Sequence, residues 1–275
     1  TWRSHAFSAY LRFSGRAKRL VPGVYRLKGE GAFRLARALT GGVKPLSVTL
    51  TFPEGERAVD YARRLSQAGL DGEGFLRLVE RPGALKPPYV EGRTLEGYLF
   101  PATYTFDLLA TPEEVVRAML RRFEAELTPP VQRLLEERGL SVHAWVTLAS
   151  IVEKEAALDD ERPRMAGVYT YRLQLGQGLF ADPTIIWVAD SAALRKLKLS
   201  KWASYEFWKF PAKPYSGLIP PRVPADLVPW NTFVRGGIPP APLCSPSLAS
   251  IIAAREPDSS RKELYFVLIP GSGGR

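Results

Sequence analysis

The chain has 275 residues, 45% of them hydrophobic, and a formal net charge of +10 at pH 7; this is enough apolar material for one large domain or two ordinary ones, and it excludes disorder as the default state. One cysteine, Cys244, and two distant histidines, His5 and His143, exclude an internal disulfide framework and a thiolate metal cluster, and they leave no basis for a zinc site or a histidine-based triad. The positive charge favours a polyanionic neighbour, whether nucleic acid, an anionic membrane surface or an acidic cell-envelope polymer.

In chain order, Val24-Tyr25-Arg26-Leu27 reads as a strand, and Ala32 to Leu39 repeats apolar residues at helical spacing before Gly41-Gly42, a common helix terminator. A second strand-helix unit follows. Ser47 to Phe52 alternates in the strand manner, Pro53-Glu54-Gly55 turns, and Arg57 to Ala68 is an amphipathic helix closed by Gly69. The Pro- and Gly-rich stretch Gly83 to Gly92 is the best linker.

Beyond it the pattern turns helical. Thr111-Pro112-Glu113-Glu114 starts a helix whose apolar stripe runs from Val115 to Leu127; Thr128-Pro129-Pro130 starts another that ends at Gly139. Ser141 caps a third helix through the apolar run Ala144 to Val152 to Glu155, and a fourth covers roughly Arg162 to Leu175. Prolines between Pro211 and Pro246 rule out a long helix or central strand there. Ser247 to Arg255 closes as a short helix, and Leu264 to Ile269 reads as a strand. No apolar stretch approaches the ~18 residues of a membrane span. The start at Thr1 and the Gly271 to Arg275 tail lead us to expect trimmed ends, with an anchor lying outside this chain.

Chemistry concentrates at a few carboxylates, because no G-x-S-x-G, P-loop or Rossmann glycine pattern occurs. A helix apolar on all sides belongs in a core, so Glu153 and Glu155 emerge where packed interior meets a cleft or solvent. Partial burial there raises a carboxyl pKa and makes a proton donor near neutral pH. The two lie about 200° apart on an ideal helix, so one of them is structural, and Lys154 balances either. Asp182-Pro183-Thr184 suits a turn or helix cap as well as a site. Glu96 to Tyr104 sets a carboxylate among aromatics, which suits sugar recognition and a hydrophobic core equally. Asn231, the sole asparagine, reads as a turn residue.

Five ordered strings, Leu95 to Pro101, Ala149 to Glu155, Asp182-Pro183-Thr184, Asn231-Thr232-Phe233 and Gly237 to Pro240, resemble the YceG-like family of endolytic murein (lytic) transglycosylases. The Tyr25 strand and the Pro53-Glu54-Gly55 turn with its helix resemble the LysM-like subdomain of that family. The resemblance implies an α+β fold: a small LysM-like αβ subdomain over 1–90, then a mainly helical lysozyme-like catalytic domain over 91–275 with a small β element. It also implies Glu155 as the acid, followed by the small Ala156, with Glu153 as second choice. Glu96, Tyr98, Tyr104, Asp182, Thr184 and Asn231 would hold the glycan or shape the groove.

The implied reaction cuts the MurNAc-GlcNAc bond of nascent peptidoglycan strands with one glutamate as acid and then base, giving 1,6-anhydroMurNAc ends and needing no metal or organic cofactor. The implied setting is the inner membrane, with a single-pass N-terminal anchor, the catalytic part outside the cytoplasm and cell-wall synthesis machinery as partner. The chain departs from the family pattern at Ala156 (Thr expected), Phe180-Ala181 (Gln-Ser or Gln-Thr), Tyr171 (Asn) and Ala241 (Gly). Two other readings stand beside this one: a peptidoglycan-binding protein without turnover, and a nucleic-acid binder motivated by charge alone. The second lacks a reader motif, so no nucleic acid is expected as partner.

Overall fold

A computed structural model describes residues 2–26, 31–42, 46–197, 202, 205–209 and 223–266. Ten α-helices and two strands are found among the described residues. Helices α1 (Trp2–Phe13) and α2 (Ala32–Arg37) come first, then β1 (Ser47–Thr51), α3 (Ala58–Gln67), α4 (Gly72–Glu80) and β2 (Thr103–Asp107). They are followed by α5 (Pro112–Glu124), α6 (Pro129–Glu137), α7 (Val142–Glu155), α8 (Arg162–Gln174), α9 (Asp182–Leu194) and α10 (Leu248–Arg255). The fold class is α+β, as expected: a helical body with one two-stranded antiparallel sheet, Ser47 opposite Asp107 and Thr51 opposite Thr103.

Local chemistry explains most boundaries. Thr111 and Glu114 form a reciprocal capping box at α5, with Pro112 in the first turn. Ser141 accepts from the Ala144 N–H to start α7, and Ser247 accepts from the Ser250 N–H to start α10. Gly69 and Gly139 follow α3 and α6 with positive φ, the left-handed turn that releases a chain from a helix.

Several expectations need correction. Val24 to Arg26 forms no strand, and Leu27 lies outside the described residues. Among the described residues Val24 takes part in one backbone hydrogen bond of this kind, from Leu46 N–H to Val24 C=O at 2.6 Å, and a single bond is no ladder. Leu264 to Phe266 is irregular, and Val267 to Ile269 lies outside the described residues. The β element is instead β1 with β2, joined on their exposed face by Thr49–Thr105 and Thr51–Thr103 hydroxyl bonds at 2.9 and 2.8 Å. Helices α1, α4 and α9 were also not anticipated. Helix α9 buries nearly every side chain from Pro183 to Leu194, so no polar face marks its period.

The core runs continuously from Phe52 and Tyr61 through Leu99 and Phe123 to Trp145, Ile151 and Ile251. Helix α7 is its axis and packs against α8, α9 and α10, with the Trp145 indole N–H donating to Ile251 C=O at 2.7 Å. The turn after β1 is stitched to the loop before α10: Gly55 N–H donates to Ser245 C=O at 2.8 Å and Ser245 N–H to Glu56 C=O at 3.0 Å. Gly97, at φ +86, lets the Leu95 to Tyr98 turn lie against Pro242, where any Cβ would come within 2.3 Å of the proline. No helix among the described residues is long and apolar enough to cross a membrane.

Candidate active site

Three consecutive residues at the end of α7 leave in three directions, as a 100° step per residue requires. Glu153 turns to α10. Its Oε2 accepts from Ser247 N–H (2.9 Å), Ser247 Oγ (2.6 Å), Ser250 Oγ (2.7 Å) and Arg162 Nη1 (3.2 Å). With side chains 7% and 11% exposed, Glu153 and Arg162 form a buried pair, and Arg162 Nε also donates to Asp159 at 2.9 Å. Lys154 donates to Gly55 C=O at 3.3 Å and lies 4.2 Å from the centre of the Trp208 ring. It therefore neutralises neither neighbour by direct pairing.

Glu155 turns towards α8 and the start of α9. Its Oε1 accepts from the Tyr169 hydroxyl at 2.8 Å. Burial raises its pKa above the ordinary glutamate value, and the nearby Asp182 carboxylate pushes the same way; the Tyr169 hydroxyl, the Asp182 backbone N–H and the Arg172 guanidinium pull against them. The result is a half-buried acid that holds its proton to higher pH than a surface glutamate. Asp182 sits in the first turn of α9, fixed by Pro183. Arg172 in turn is anchored by the carbonyls of Leu264 and Leu179.

Of the remaining sequence candidates, Thr184 and Asn231 lie about the entry of α9, whereas Tyr98 meets His143 at the opposite end of α7 and Tyr104 lies on β2. The buried Thr184 hydroxyl donates to Ala181 C=O (2.7 Å) and contacts the Thr232 hydroxyl (2.9 Å), which accepts from the Ala181 N–H (2.9 Å). Asn231 is buried, its Oδ1 accepting from the Phe233 N–H at 3.0 Å in a local turn. Together they lock the entry of α9 to the loop at 231–235. Tyr98 is wholly buried and its hydroxyl meets His143 Nδ1 at 2.6 Å, while His143 Nε2 donates to Pro240 C=O at 2.8 Å. The Tyr104 hydroxyl donates to Phe100 C=O at 2.7 Å. Neither hydroxyl is free to meet a ligand in this arrangement.

Glu96 is different in kind. Its Oε1 accepts from Ala58 N–H at 2.9 Å, at the first turn of α3. Burial raises its pKa to about 7, opposed by Arg57. It belongs to a second internal cluster in which Arg57 donates to Ser191 (3.1 Å) and stacks near Trp187.

Glu155 and Asp182 are thus brought together, and Glu153 is kept apart from them. Sequence reasoning missed Tyr169, Arg172 and Arg162. Tyr169 and Arg172 lie on the buried face of α8, and a hydroxyl and a guanidinium three residues apart on such a face are the signal that it meets a polar group. Among the described residues no cluster of His, Cys, Asp and Glu is suited to hold a metal ion.

The comparisons with known proteins agree over most of the chain. The protein named endolytic murein transglycosylase in Bacillus subtilis is 26% identical over 283 aligned residues, covering 95% of this chain and 70% of the relative. A protein of the same name in Streptococcus pneumoniae is 28% identical over 245 residues, covering 82% of this chain and 41% of the relative. A crystal structure of a yceG-like protein from Listeria monocytogenes superposes with a TM-score of 0.62 at 25% identity, over 96% of this chain and 84% of that one. A family model described as the YceG-like family matches residues 2–274, and on that near-complete match the chain belongs to the YceG-like family.

Proposed function

We propose that this chain is an endolytic peptidoglycan lytic transglycosylase that uses Glu155 first as acid and then as base. The observation that carries the reading is the environment of Glu155: a carboxyl at the end of a buried helix, raised in pKa by burial, oriented by Tyr169 and set beside Asp182. The names of the Bacillus and Streptococcus relatives support the substrate class.

In this mechanism protonated Glu155 gives its proton to the oxygen linking MurNAc to GlcNAc, and the bond to the anomeric carbon breaks. The substrate's N-acetyl group stabilises the electron-poor carbon. The ionised Glu155 then takes the proton of the MurNAc C6 hydroxyl, whose oxygen closes the 1,6-anhydro ring and restores the acid. Burial serves the first half, because it keeps the proton on Glu155; Tyr169 and Arg172 serve the second, because they steady the carboxylate. Glu153 supports the groove from behind through its pair with Arg162. Thr184 and Asn231 hold the α9 entry, and Glu96, Tyr98 and Tyr104 hold the wall formed by the 95–104 segment. The LysM-like reading of residues 1–90 belongs to the same proposal, as do an N-terminal membrane anchor outside this chain and a catalytic part outside the cytoplasm. The net charge of +10 draws the protein to an anionic polymer and membrane surface.

The test is turnover of purified glycan strands followed by mass spectrometry. Glu155→Gln should lower the rate by about 10²–10⁴-fold, and the parent should yield 1,6-anhydroMurNAc ends. Reducing ends would indicate hydrolysis, and an active Glu155→Gln protein would remove the assignment.

A further inference from the structure

Phe180 holds an unusual place. It precedes the N-cap of α9, has φ +48, a left-handed backbone that phenylalanine rarely adopts, and is nevertheless 51% exposed. The strained backbone is therefore not explained by burial of the ring. The tip of the ring rests on Gly178, where a Cβ would come within 2.9 Å of Cζ. Its edge meets Phe233 in a T-shaped contact with centroids 5.8 Å apart. Phe233 and Val234 are themselves 39% and 50% exposed, so the three residues make an apolar surface in two loops that are locked together beneath by Thr184 and Thr232.

The location gives the surface its meaning. Phe180 lies two residues before Asp182, within about 7 Å along the chain, and Asp182 is near enough to Glu155 for its carboxylate and backbone N–H both to act on it. A ring held on one side, open on the other and beside an acid is a platform for the apolar C–H face of a pyranose ring. We infer that Phe180, braced by Phe233, forms a sugar-stacking subsite next to Glu155 and binds one pyranose unit of a glycan strand. The inference rests on the proposed function for its substrate class.

The experiment uses the full chain carrying Glu155→Gln, with purified uncross-linked glycan strands as the probe and calorimetric binding as the readout. Adding Phe180→Gly should weaken binding about tenfold without lowering the melting temperature, because glycine accepts the positive φ. Phe180→Tyr should bind within about threefold of its parent, and Phe180→Leu, apolar but without a π face, should lose nearly as much as glycine. Unchanged binding in Phe180→Gly, or full binding in Phe180→Leu, overturns the subsite. So does a Phe180→Gly protein that changes from dimer to monomer while binding glycan as before, which would make the patch an interface with a second copy. Failure of the catalytic reading looks different: Glu155→Gln would still cleave strands, while the ranking of the Phe180 variants would be unaffected.

Discussion

At the scale of single residues, the site depends on opposing influences on one carboxyl. Burial and Asp182 keep the proton on Glu155; Tyr169, the Asp182 N–H and Arg172 favour its release. Tyr169→Phe deletes one of the latter and keeps the ring. The basic limb of kcat/KM against pH, which reports the protonated acid of the free enzyme, should therefore move to higher pH. Loss of orientation should also lower kcat by about 10- to 100-fold. A limb that stays in place would show that the hydroxyl does not bear on Glu155. The residues alone left Glu153 and Glu155 as alternatives, with Glu155 preferred only through the family resemblance, and they could not weigh these influences, because Tyr169, Arg172 and Asp182 are 14 to 27 positions away and meet Glu155 only when α8 and the start of α9 fold back on α7.

At the scale of elements, Glu153 is the joint between α7 and α10. It accepts from both the backbone and hydroxyl of the α10 N-cap and pairs with Arg162 of α8. Glu153→Ala leaves the buried Arg162 guanidinium with the exposed Asp159 as its carboxylate partner and strips the α10 N-cap of its acceptor, which costs roughly 3–5 kcal/mol. Urea denaturation checks this, and a loss below about 1 kcal/mol would place the pair with ordinary surface bridges. Helices whose polar N-cap contrasts with the run that follows were legible in the sequence: α7 matches its predicted span from Ser141 to Glu155, and α5, α6 and α10 start directly after Thr111, Thr128 and Ser247. Elements lacking that contrast were not. Helix α9 is apolar all round, and β2, Thr103 to Asp107, is a five-residue strand whose partner lies far upstream, so its pattern gives no hint of pairing.

At the scale of the whole molecule, buried acids set the pH response. Burial raises Glu96, Glu155, Asp60 and Asp190 above their ordinary values, so the folded state keeps protons that the unfolded chain has released. Their contribution to stability is fully present below the ordinary carboxyl range and is lost as pH rises through the raised values. For Glu96 that window runs from 4.5 to about 7, a difference of order 3 kcal/mol. Surface acids with lowered values, such as Asp226 beside Arg195, act in the opposite sense but through exposed pairs that count for little. Urea midpoints at pH 5 and pH 8 should therefore show the parent weaker at pH 8, and Glu96→Gln should narrow the gap; an equal gap in both proteins would remove Glu96 as its source. The β1–β2 ladder has a consequence in time. Thr49 and Thr105 are 56 residues apart, so at a synthesis rate of about 5–20 residues per second β1 emerges roughly 3–11 s before its partner. During that interval α3 and α4 can pair locally, while β1 remains an open edge that any other extended segment could occupy; the order of emergence thus makes this short sheet a closing step of folding and leaves its first strand in need of protection until then.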